Sequence, residues 1–266
     1  MANWITEHES TLRLSVFLGV LILMALLETL FPRKIRTQDR TARWGSNLAL
    51  VIIDSLVVRL LFPIIAVGAA AFAFTKGWGV LNLIDLPAWV GFIMALILLD
   101  LSVYIQHVAF HKIPVLWSIH KVHHADRDID ATTGVRFHPI EIVISMIYKI
   151  AVVILLGPSV LAVIIFEIIL NASAMFNHAN VRLPKTFDRI LRVFFVTPDM
   201  HRIHHSVHPA ETDSNYGFNL SLWDHVFKTY REKPKDGHIG MKIGLSEYQS
   251  NSPSSLVWLL ILPFKR

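Results

Sequence analysis

The chain has 266 residues, is 53% hydrophobic but only 17% charged, carries a formal net charge of +5 with its histidines neutral, and contains no cysteine. Soluble domains run nearer ~25% charged, so part of this surface calls for an apolar solvent; the missing thiols exclude disulfides, thiolate nucleophiles and iron–sulfur clusters. The basic residues are scattered around apolar runs, which fits orientation in a membrane better than nucleic-acid binding.

In chain order, the first apolar run is TLRLSVFLGVLILMALLETLF, 11–31. At about 1.5 Å per residue it crosses a ~30 Å hydrocarbon core. Glu7 and Glu9 before it, and the basic PRKIRTQDRTAR after it, argue for a retained helix over a cleaved signal. The second run, 47–74, is interrupted by Asp54 and Arg59, which pair with each other or face protein; the third, 85–110, leads into the first histidines. The fourth, 141–176, is too long for one crossing and carries Gly157-Pro158 near its middle, so it predicts a hairpin of 141–156 and 158–176. Five bases in 32–46 place that loop in the cytoplasm. The second and third helices then go out and return, and the hairpin brings 178 onward to the same side as 107–140. The tail segment SLVWLLILPF, 255–264, is too short to span and predicts an interfacial helix or a packed end. The expected fold is therefore an all-α integral membrane protein. It has about four to five transmembrane or hairpin helices topped by a cytosolic histidine-rich helical domain, divided as 1–94, 95–232 and 233–266.

Histidine usage is the outstanding feature. His107 and His111 are four apart, and HKVHH (120–124) returns as HRIHH (201–205). Spacings of three and four put His120, His123 and His124 on one helical face, and His201, His204 and His205 on another. Eight imidazoles thus converge from three helical segments, more than one ion's coordination sphere takes. All-imidazole donors suit iron, copper, nickel or zinc and disfavour magnesium or calcium. No HExxH protease signature is present.

Together with RFHPIE (136–141), NHANV (177–181), TPDMHRIHHS (197–206), NYG (215–217) and WDHVFKTY (223–230), these motifs resemble the fatty acid hydroxylase superfamily, which includes sterol desaturase-like proteins. The resemblance covers roughly 95–230; Lys228 departs from it, standing where many members have glycine. It implies a membrane-embedded, non-haem di-iron oxygenase with its histidines on the cytosolic side. On that reading His178 is a ninth ligand and His138 a further candidate. Asp100, Glu167 and Asn171 lie on the histidine-bearing faces of their helices and are candidates to orient the metal-bound imidazoles. Glu141 is expected to pair with Arg136. His8, His208, His225 and His238 are expected to lie outside the site.

The implied reaction is O2-dependent hydroxylation of a C–H bond in a lipid: a fatty acyl chain, sterol, carotenoid or ether lipid. Desaturation at the same site is the alternative, and a non-catalytic metal-stabilised membrane protein or a metal transporter are readings from other classes. The sequence carries no nucleotide-binding or haem-binding fingerprint, so electrons are expected from a separate reductase or electron-transfer protein. The bases between Arg182 and Lys235 suit either an acidic donor or anionic lipid headgroups.

Overall fold

Each long apolar run folds as helix, and the breaks fall at residues that cannot continue one. In this computed structural model, which describes residues 2–265, α1 (Ala2–Glu7) leads into α2 (Glu9–Leu30). The Asp39 carboxylate starts α3 (Arg40–Leu61) by accepting from the Ala42 N–H at 2.6 Å, which satisfies a first-turn amide. The expected helix over 47–74 is corrected here. α3 begins seven residues earlier, and the chain leaves helical geometry at Phe62–Ile65 before α4 (Ala66–Lys76). Pro63 accounts for the break: it has no N–H to donate, and it holds Phe62 in extended backbone with φ −115° and ψ 104°.

α5 (Ala88–Lys112) and α6 (Pro114–His124) follow, then the predicted hairpin of α7 (Pro139–Leu156) and α8 (Val160–His178). Gly157 ends α7 in the left-handed region at φ 65°, and Ser159 caps α8. Short helices α9 (Lys185–Leu191), α10 (Pro198–His204), α11 (Pro209–Thr212), α12 (Leu222–Val226) and α13 (Gly237–Gly240) build the remaining domain, and α14 (Leu256–Ile261) closes the chain.

Five stretches among the described residues are long and apolar enough to cross a membrane: α2, the α3–α4 segment, α5, α7 and α8. Their outer faces present Leu18, Ile22, Ile52 and Leu60, as a lipid solvent requires. The protein is a multi-pass integral membrane protein. α2 packs on α8, α3 on α7, α4 on both arms of the hairpin, and α5 on α6 and α8.

A polar loop, 126–136, ties the ends of these helices together. Arg43 is 1% exposed and donates to Asp126 at 2.8 Å and to Asp130 at 2.7 Å. Asn47 donates to Thr132, and the buried Glu28 accepts from the backbone N–H groups of Ala131 and Asn180. Gly134 presses so closely on α8 that a Cβ there would sit 2.3 Å from the Ala174 carbonyl oxygen. The tail takes the packed form: Leu259 and Leu262 join Leu50, Val122 and Ala125 in one apolar cluster, and Arg136 donates to the Pro253 carbonyl.

Candidate metal centre

Three helix ends and one loop-bound helix meet at the top of the bundle. α5 supplies His107 and His111 in its last turns, α6 supplies His120, His123 and His124, α8 ends on His178, and α10 with its C-cap supplies His201, His204 and His205. Pro114 and Pro198 open α6 and α10 where a missing N–H costs nothing, which fixes where those two histidine faces begin.

These nine imidazoles form two groups. His107, His111, His120, His124 and His204 are one; His123, His178, His201 and His205 are the other; within each, the donor atoms lie within 4.8 Å of one another. The groups abut, with the His124 and His205 rings stacked at a centroid distance of 4.4 Å.

The hydrogen bonds fix the tautomers. A carbonyl oxygen only accepts, so a ring nitrogen facing one must carry its proton. His107 Nδ1 donates to Tyr216 O (2.8 Å), His204 Nδ1 to Ser214 O (2.7 Å), His178 Nδ1 to Ala174 O (2.7 Å) and His123 Nδ1 to Arg136 O (3.3 Å). Nε2 of each of these neutral rings is therefore a lone pair. Yet Nε2 of His204 lies 3.1 Å from that of His107, and Nε2 of His178 lies 3.0 Å from that of His123. Lone pairs facing at that range in a buried site repel unless a cation lies between them. Two nitrogens bound to one ion at ~2.1 Å, on adjacent coordination positions, stand about 3 Å apart. Nε2 of His111, His120, His124 and His205 is likewise buried and has no hydrogen-bond partner among the described residues. The donor set fits a metal in each group.

Protonation does not compete near neutral pH. Burial above all, then the neighbouring imidazoles, holds His123, His124, His201 and His205 well below the ordinary histidine range; burial brings His204 down to about 3.

The other expected residues sort differently. Glu141 corrects the reading from sequence: it accepts from His120 Nδ1 at 2.7 Å, while Arg136 turns to Val122 O, Pro253 O and Asp126. His138 stands outside both groups, its Nδ1 capping α7 through Ile140 N and its Nε2 donating to Leu260 O. Asp100 touches no imidazole. It accepts from Asn219, Leu220 and Trp223 Nε1, and so pins the segment whose Tyr216 carbonyl holds His107. Asp224 braces the same segment by accepting from the Tyr216 and Gly217 N–H groups. Glu167 lies away from the histidines, bonded to Arg13 and Lys149 at 2.7 Å each, and Asn171 donates to its carbonyl. His8 stacks on Trp4, His225 packs at a tilt against Tyr230, and His208 faces Asp236.

A cavity of about 1060 Å³ runs from His107, His120 and His123 down between α2, α3, α7 and α8, its walls mostly apolar side chains such as Phe17, Val51, Val103 and Phe137.

Against this geometry, the protein-family model for fatty acid hydroxylase matches residues 92–229, just over half of the chain. The chain belongs to the fatty acid hydroxylase family. This hydroxylase-family chain is 25% identical over 237 residues to the ornithine lipid hydroxylase OlsE of Rhizobium tropici, covering 83% of this chain and 67% of that protein. It is 27% identical over 175 residues to an alkylglycerol monooxygenase of Caenorhabditis elegans (63% and 32% covered) and 30% identical over 161 residues to one of Danio rerio (59% and 35%). The chain thus spans about a third of the length of those monooxygenases. No solved structure matches it.

Proposed function

We propose that this protein is a di-iron, O2-dependent hydroxylase acting on a C–H bond of a membrane lipid, with its metal centre on the cytoplasmic side. The observation that carries the reading is the pairing of imidazole lone pairs at 3.0–3.1 Å at the head of an apolar cavity. The printed functions of the relatives, lipid hydroxylase and monooxygenase, support it.

The nine imidazoles would hold two iron ions, which supply O2 activation and the oxidising power for an unactivated C–H bond. The chain's own residues do the rest. Carbonyls of Tyr216, Ser214, Ala174 and Arg136 hold each Nδ1 proton, so that Nε2 is the donor. Glu141 adds negative charge behind His120 and makes it a stronger ligand. The apolar wall excludes water and lays a lipid chain against the imidazoles. Overall, R–H, O2, two electrons and two protons give R–OH and water. The electrons come from a separate reduced electron-transfer protein or reductase. The five bases of 32–46 support a cytoplasmic orientation for the centre.

The test is metal analysis of the purified protein, followed by incubation with lipid, a chemical or protein reductant and labelled O2. Near two irons per chain and a lipid product one labelled oxygen heavier are expected. A product lighter by two hydrogens assigns desaturation instead; metal held without any O2 consumption rejects catalysis. His123→Ala should deplete iron and abolish turnover while the helices stay inserted.

A further inference from the structure

Beyond the membrane-crossing helices, one face of the histidine domain is strongly apolar. Ile190 of α9, Val193 and Phe194 after it, Leu222 and Val226 of α12, and Phe227 at its end are all exposed. The exposed bases Lys185, Arg189 and Lys228 stand among them in the chain. Such a patch marks contact with either a protein or a membrane.

Depth decides what covers this face. α5 runs 25 residues from Ala88 to Lys112, and the exposed Trp89 near its start suits a membrane boundary. A hydrocarbon core of ~30 Å takes about 20 residues of helix, so a core entered at Ala88 ends near His107. Asp100 is seven residues before His107, about 10 Å inside that boundary. It accepts from Asn219 Nδ2 and Trp223 Nε1 at 2.8 Å, and from the backbone N–H groups of Asn219 and Leu220 at 3.3 Å. Farther along α5, Phe227 stacks on Tyr104 at a centroid distance of 5.3 Å, and Thr229 Oγ1 lies 2.9 Å from the Tyr104 hydroxyl. Residues 219–229 therefore follow the membrane-crossing part of α5. Residues 194–196 lie beside them, with Val196 N–H donating to Asn219 O and Ser221 N–H to Phe194 O. Irregular backbone at membrane depth persists where protein meets its polar groups. Asp100, Asp224 and the pairing with 194–196 meet them here, which accounts for a carboxylate in the middle of a membrane helix.

We propose that α9, residues 193–196 and α12 form a lobe that dips into the leaflet nearest the metal centre. Its phenylalanines sit among acyl chains, and Lys185, Arg189 and Lys228 meet anionic headgroups. A soluble acidic partner would also suit the bases, but it would not reach a segment held about 10 Å below the boundary. Lys228 adds a separate mark. It holds left-handed backbone at φ 60°, which glycine adopts freely, yet it offers an exposed ammonium next to the exposed Phe227. A headgroup contact offsets that backbone strain. The lobe stands whatever reaction the metal centre performs.

The chain has no cysteine, so Phe194→Cys, Val226→Cys and the exposed control Lys233→Cys each accept a single thiol-reactive fluorophore. The iron-loaded protein is placed in lipid nanodiscs of phosphatidylcholine with phosphatidylglycerol. Bromine on the acyl chains quenches from the membrane and iodide quenches from water; iron per chain reports folding. Labels at 194 and 226 should be quenched by bromine and escape iodide, and the label at 233 should do the opposite. Bromine carried on phosphatidylglycerol should quench the 194 label more than the same content on phosphatidylcholine. Lys228→Gly should cut that preference by about fivefold while the melting temperature falls no lower. If Phe194→Cys loses iron, Val193→Cys and Val226→Cys carry the comparison. Iodide quenching at 194 and 226 as strong as at 233 overturns the lobe and leaves the face to a soluble partner. Shielding without a preference for phosphatidylglycerol, or a preference that Lys228→Gly leaves intact, overturns the headgroup contacts.

Discussion

His120 differs from its neighbours in what holds its outer nitrogen. Four of the imidazoles donate to main-chain carbonyls, whereas His120 donates to the buried Glu141 carboxylate. A charged acceptor raises ligand basicity more than a carbonyl does. Glu141→Gln keeps an oxygen for the Nδ1 proton but removes the charge. Metal affinity of the five-histidine group should fall about 10–100-fold while the four-histidine group is unaffected. Chelator competition monitored separately for the first and second ion checks this; equal weakening at both, or none, argues against the assignment. At this scale the sequence was legible where spacing speaks. The two HxxHH triplets and HxxxH announce shared helical faces, and His178 follows from NHANV. Glu141 was misread because Arg136 is nearer in sequence. The link to His120 spans twenty-one residues and depends on how α6 meets α7. Main-chain acceptors such as Tyr216 O leave no residue signature at all.

At the level of elements, helix ends aim the ligands. The turn through Gly134 packs on the α8 carbonyl at Ala174, the residue whose oxygen also orients His178, and two residues later Arg136 O orients His123. Gly134→Ala would drive a methyl group into backbone, an overpacking that costs about 1–3 kcal/mol. It should lower the melting temperature by several degrees and reduce metal at the four-histidine group before the five-histidine group; circular dichroism melts and metal analysis measure both. The hairpin was legible because Gly157-Pro158 interrupts an overlong apolar run. By the same physics Pro63 marks the break between α3 and α4, a signal present in the sequence but outweighed there by the continuous hydropathy of 47–74.

For the whole molecule, burying so many neutral imidazoles couples folding to pH. His123, His124, His201, His204 and His205 all have folded pKa values below the unfolded value of about 6.5. The unfolded chain therefore takes up protons first as pH falls. Stability is complete above about 6.5 and declines below it, for His204 continuing down to about 3. The melting temperature in detergent should drop between pH 7 and pH 5, while Nε2 of the folded site is protonated only at lower pH, as His204 at about 3 shows. A melting temperature that stays constant across that window would contradict the site as described. The membrane crossings were legible in composition and the convergence of both histidine windows in their even number. The ties from Arg43 to Asp126 and Asp130, which seat that roof on the bundle, were not, because paired charges eighty residues apart carry no local pattern. The carbonyls that aim His107, His123, His178 and His204 belong to the backbone, whatever residue stands there. Side chains along the cavity can drift without turning a ligand, so one unchanged imidazole cage is free to be retailored to a differently shaped sleeve by substitutions in the cavity wall.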